Sequence, residues 1–119
     1  MSKRNTFILE NVKIFTGDDF IDNGYVYVKN GIIEEVKKGR SPDSIQLHAP
    51  IRSYSGHSVI PGLIDSHIHA LSGNLDSIEQ SLRFGVTTVC DMHNNPEDNE
   101  RLQKVILSSS KCRCSGHLR

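Results

Sequence analysis

Two histidines one residue apart, His67 and His69, end the segment Pro61-Gly62-Leu63-Ile64-Asp65-Ser66-His67-Ile68-His69. In a β-strand, residues i and i+2 project to the same side. As a strand, this segment brings two imidazoles close enough to share one ion. Neutral imidazole is a good ligand for zinc and other first-row transition ions. Asp65 has the same parity and is a candidate acceptor for an imidazole N–H, which would fix that ring's tautomer. A His-x-His pair alone is common and seldom binds metal. What sets this one apart is its place after an apolar strand that contains Pro-Gly.

The elements that must position the pair follow from the hydrophobic pattern. In HSVIPGLIDSHIHA, Val59 and Leu63 share one parity, and Ile60, Ile64 and Ile68 the other. A strand apolar on both faces is expected in a buried parallel sheet. The histidines then fall at its C-terminal end, where α/β sheets and barrels build their sites. Residues 74–84 form a predicted helix, with Leu71, Leu75, Ile78 and Leu82 at helical spacing and Gly85 placed to end it. GVTTVCDM is a second β-branched strand. Asn95 then reads as an N-cap, with Pro96 in the first helical position and Glu97 and Asp98 in the first turn. Leu102, Val105 and Ile106 give that helix its apolar stripe. Strand–helix–strand–helix is the beginning of a parallel α/β fold.

Upstream, the chain reads as short strands and tight turns. Residues 6–15 are β-rich, with apolar Ile8, Val12 and Ile14; residues 16–19 and Asp22-Asn23-Gly24 are turn signals. Asn30-Gly31, between two β-rich runs, predicts a type I′ hairpin. Val26 and Val28 alternate with Tyr25, Tyr27 and Lys29, the pattern of a half-buried antiparallel strand. Residues 38–50 are a polar connection containing Pro42 and Pro50.

VIPGLIDSHIHA resembles the first barrel strand of the metal-dependent amidohydrolase superfamily: an apolar pair, Pro-Gly, an apolar pair, Asp, any residue, His-x-His. The upstream strands resemble the small β-sandwich these enzymes build from their chain termini. GVTTVCDM resembles their second strand, with Cys90 where members often carry arginine. The resemblance covers about residues 6–108. It implies an α/β fold. Residues 1–57 would be the N-terminal part of a composite β-sandwich domain. Residues 58–119 would be the first two β/α units of a (β/α)8 TIM barrel, with 109–119 a disordered tail.

The same resemblance makes His67 and His69 ligands to one or two divalent ions, with zinc the leading choice. The metal activates a water that attacks a non-peptide C–N bond, such as an amide or cyclic amide, or a related bond in a small-molecule substrate. In the family, further ligands and a proton-shuttling aspartate come from later strands, and a whole barrel needs about 200 residues or more. The expectation is therefore a truncated amidohydrolase that is inactive alone. Two rivals stand beside it: a non-catalytic fragment or pseudoenzyme, and a small metal-binding module that uses His67, His69 and the cysteine tail.

That tail, SSSKCRCSGHLR, groups Cys112, Cys114 and His117 without a fourth ligand nearby, and it does not resemble the family pattern. His93 follows the second strand and could border a pocket, whereas His48 and His57 read as solvated. Asp91 fits a site-lining acid and a loop cap equally well. The 14 basic and 14 acidic residues cancel, giving no electrostatic reason to expect nucleic acid or an anionic membrane as partner. Three cysteines and no secretory h-region point to a reducing, cytoplasmic setting. Self-association through open strand edges is expected, because the strands ending at His69 and Met92 would each lack a barrel neighbour.

Overall fold

A computed structural model of the chain describes residues 5–69, 75–92, 95–108 and 113–117. Helices and two sheets divide between two compact units, Met1–Pro61 and Gly62–Arg119.

In the first unit, β1 (Phe7–Phe15) pairs antiparallel with β2 (Phe20–Lys29), which pairs antiparallel with β3 (Ile32–Lys38). A short helix, α1 (Asp43–Gln46), leads to β4 (Ile51–Ser53) and β5 (Ser58–Val59), both of which add parallel to β1. The β2–β3 turn takes the conformation its sequence predicts, with Asn30 at φ 53° and Gly31 at φ 82°.

Asp22-Asn23-Gly24 is not a turn but lies inside β2. Asn23 (φ 52°) and Asn11 (φ 56°) both take left-handed conformations where the β1–β2 register shifts. Asparagine tolerates this because its short polar side chain can bond locally. A Cβ on Gly24 would lie 2.7 Å from Ile14 Cδ1 and 2.8 Å from the Lys37 carbonyl oxygen, so only glycine fits. The irregularity also exchanges faces. Ile8 packs with Tyr25, Tyr27 and Ala49, while Val12 and Ile14 pack on the other side with Val26 and Val28. β2 is therefore buried on both faces, not half-buried as the alternation predicts. The connection after β3 covers the tyrosine side through Ile45 and Ala49.

Buried Glu10 anchors that connection. Its carboxylate accepts the Ser41 backbone N–H at 2.9 Å and the Ser41 hydroxyl. Tyr25 donates its hydroxyl proton to Glu35 at 2.5 Å. Burial, then this bond to a carboxylate, pushes the phenol up to about 12.

In the second unit, β6 (Leu63–Ile68), α2 (Leu75–Arg83), β7 (Val86–Met92), α3 (Pro96–Ser108) and β8 (Arg113–His117) build a parallel sheet of order β6-β7-β8. Gly85 (φ 83°) follows α2, and Asn95 Oδ1 caps α3 by accepting the Asp98 N–H at 2.8 Å. Ile78, Val89 and Leu102 form the core, with Ile68 and Val86 packed against it.

Three further features differ from the sequence expectation. Residues 58–59 pair with β1, so the division falls after Pro61 rather than after residue 57. β6 is exposed rather than buried: Leu63 and Ile64 are 49% and 70% accessible, because α2 packs on β7 and α3 on β8. Residues 113–117, placed in a disordered tail by sequence, form β8. Pairing with them satisfies backbone groups that β7 would otherwise leave open. No helix among the described residues is long and apolar enough to cross a membrane.

Candidate metal centre

The site lies wholly within the second unit, at the end of β6. Ile68 packs against Val89 and the helix residues Ile78 and Leu102, so it faces the helices. His67 and His69 flank it and therefore project from the opposite face. There the two Nε2 atoms lie 3.3 Å apart, with the rings nearly perpendicular at 86° and their centroids 5.0 Å apart. Both side chains are exposed to solvent.

His69 Nδ1 lies 2.5 Å from the carbonyl oxygen of Met92 on β7. A carbonyl only accepts, so Nδ1 carries the proton and, in the neutral ring, Nε2 keeps its lone pair. That is the tautomer a metal ligand needs, with its outer nitrogen anchored. Sequence reasoning missed the Met92 carbonyl, since a backbone acceptor leaves no trace in residue type.

The separation of the nitrogens tests whether they suit an ion. On a tetrahedral zinc with Zn–N bonds of about 2.0–2.1 Å, two nitrogens lie about 3.3 Å apart. The observed pair has that spacing. Among the described residues, however, no group of three or more His, Cys, Asp or Glu side chains could hold a metal.

Asp65 takes a different role from the one its parity suggests. The β6–β7 register shifts between Asp65 and Ile68, so Asp65 aligns with Val89 and Ile68 with Asp91. Its Oδ1 accepts the backbone N–H of His67 at 3.1 Å and braces the strand rather than an imidazole. Asp91 is buried on β7, two residues from Val89 and on the same helix-facing side. Cys90 is half-buried and forms no disulfide. His48 and His57 are exposed in the first unit, where His57 Nδ1 lies 3.1 Å from the Ser55 carbonyl. His93 and Cys112 lie outside the described residues. Cys114 aligns with Val89 and His117 with Met92.

No family model matches the chain. An imidazolonepropionase from Treponema denticola is 32% identical over 71 residues, covering 59% of this chain and 17% of that protein. A dihydroorotase from Trichlorobacter lovleyi is 32% identical over 103 residues, covering 79% of this chain and 23% of that protein. The chain belongs to the metal-dependent amidohydrolase superfamily. It spans less than a quarter of the length of these two superfamily relatives. The fold agrees: ochratoxinase from A. niger superposes with a TM-score of 0.79 at 15% identity, over 94% of this chain and 31% of that one.

Proposed function

We propose that this chain supplies the first two metal ligands, His67 and His69, of an amidohydrolase centre. The observation that carries this reading is the 3.3 Å spacing of two solvent-facing Nε2 atoms, one of them held in the ligating tautomer by Met92. The bound ion is divalent, with zinc the best match to an imidazole set. When bound, it supplies an activated water for attack on a non-peptide C–N bond, an amide or cyclic amide, of a small-molecule substrate.

The second unit then reads as the first two β/α units of a (β/α)8 barrel, and the first unit as part of the accompanying β-sandwich. The superposition on ochratoxinase over 94% of the chain supports this arrangement. Asp65 positions the His67 backbone. Asp91 lies on the helix-facing side, away from the imidazoles, which leaves the pair without a neighbouring proton shuttle among the described carboxylates. The expectation that the 119 residues alone bind metal without turning over substrate belongs to the same reading. The balanced charge supports small molecules over nucleic acid or a membrane surface as partners, and the odd cysteine count supports a cytoplasmic setting.

Equilibrium dialysis against zinc, with metal analysis of the parent chain, His67→Ala and His69→Ala, tests the reading. One ion per chain, lost in either variant, is expected. Zinc retained equally by all three would contradict it. Retention that instead vanishes in Cys114→Ala would favour the tail as a separate metal-binding module.

A further inference from the structure

The sequence holds two Asn-Gly pairs, Asn23-Gly24 and Asn30-Gly31, and both asparagines are exposed with left-handed backbones. An asparagine followed by glycine is chemically labile. The glycine nitrogen, once deprotonated, attacks the asparagine Cγ, and a residue without a side chain leaves that approach open. The fold treats the two pairs differently. Gly24 lies between two strands, aligned with Val12 of β1 and Lys38 of β3. The Asn23 carbonyl accepts the Gly39 N–H at 2.8 Å, and a Cβ on Gly24 would run into Ile14 and the Lys37 carbonyl. The Asn23–Gly24 peptide cannot rotate without opening both ladders. Asn30-Gly31 stands instead at an exposed hairpin tip, held by the residues that precede β1. Asn30 donates its backbone N–H to Thr6 Oγ1 at 3.0 Å, and Gly31 donates its own to the Asn5 carbonyl at 2.8 Å. The Asn5 side chain lies beside Gly31.

We infer that Asn30 is a site of spontaneous deamidation and that its contacts with Asn5 and Thr6 set the rate. Hydroxide removes the Gly31 amide proton. The nitrogen then bonds to Asn30 Cγ, and the Cγ–Nδ2 bond breaks as ammonia leaves. Water opens the resulting succinimide at either carbonyl, giving aspartate or isoaspartate. While the Asn5 carbonyl holds the Gly31 N–H, that proton is withheld from hydroxide, as it is from hydrogen exchange. Reaction therefore waits for local opening of the turn. The two products differ in consequence. Aspartate keeps an Asp-Gly pair, which suits the same type I′ hairpin. Isoaspartate adds a methylene to the main chain inside the turn that sets Lys29 opposite Ile32. It loosens β3, the outer strand of its sheet.

Peptide mapping by mass spectrometry of the full chain, incubated in mildly alkaline buffer, tests this beside hydrogen exchange at Gly31. The same chain unfolded in urea gives the ungated rates, and the variants are Thr6→Val and Thr6→Ser. In the folded parent, Asn30 should convert more slowly than in urea, while Asn23 stays an amide. Thr6→Val lacks the hydroxyl acceptor. It should speed both Asn30 conversion and Gly31 exchange by roughly threefold to tenfold, the effect of one lost hydrogen bond. Exchange at Val26 should stay unchanged, which shows that the sheet remains folded. Thr6→Ser keeps the acceptor and should match the parent. Asn23 converting as fast as Asn30 in the folded parent would overturn the assignment of the site. An Asn30 rate that is equal in folded and unfolded chain, or unmoved in Thr6→Val, would overturn the control by Asn5 and Thr6.

Discussion

His69 donates its Nδ1–H to the carbonyl oxygen of Met92, a bond that ties the end of β6 to the end of β7 and frees Nε2 to bind an ion. The neutral His69 ring should therefore populate the Nδ1–H tautomer almost exclusively. Long-range proton–nitrogen correlation spectra of 15N-histidine-labelled chain would read this directly. An Nε2–H signature for His69 in metal-free chain would show that Met92 does not set the tautomer.

The motif glycine Gly62 has a steric reason to be glycine. A Cβ there would collide with the stiff, β-branched side chain of Thr87 on β7. Gly62→Ala should lower stability by about 1–3 kcal/mol through overpacking. Thr87→Ala should recover part of the loss in the double variant. Equal losses with and without Thr87→Ala, measured by urea denaturation, would point to a cause other than this contact.

Tyr25 makes the first unit sensitive to alkali. Its pKa in the fold, about 12, lies above the ordinary 10.0, so the folded chain holds its proton more tightly than the unfolded chain. The stabilisation is complete below pH 10 and declines as pH rises towards 12, by about 1.4 kcal/mol per pH unit at most. Tyr25→Phe should remove this decline, along with the component of phenolate absorbance that titrates at about 12. A stability curve that keeps its alkaline slope in Tyr25→Phe would assign the slope elsewhere.

Among the described residues, no strand pairs with the outer edge of β6, and Leu63 and Ile64 are exposed beside it. Such an edge templates pairing with a second copy. Sedimentation velocity should show concentration-dependent association, and Ile64→Lys should reduce it. A monodisperse monomer across the concentration range would remove the argument.

The hairpin turn, the N-cap of α3 and the His-x-His pair were all legible, because each depends on residues close in sequence. Asn30-Gly31 and Asn95-Pro96 specify their geometry locally. What escaped the sequence depends on a partner strand. Asn23-Gly24 carries the same signal as a turn, yet opposite Asn11 it makes a strand irregularity. Asp65 has the parity of the histidines, but the register shift before Ile68 breaks the alternation. Residues 113–117 have weak strand propensity of their own and gain their conformation from the open edge of β7.

The central claim is that the imidazoles of His67 and His69 share one ion. Zinc K-edge X-ray absorption on chain loaded with one equivalent tests it most directly. The expected spectrum shows a nitrogen and oxygen shell at about 2.0–2.1 Å with imidazole scattering, weakened by one ring in His67→Ala. A sulfur shell at about 2.3 Å, or imidazole scattering unchanged in His67→Ala, would contradict it.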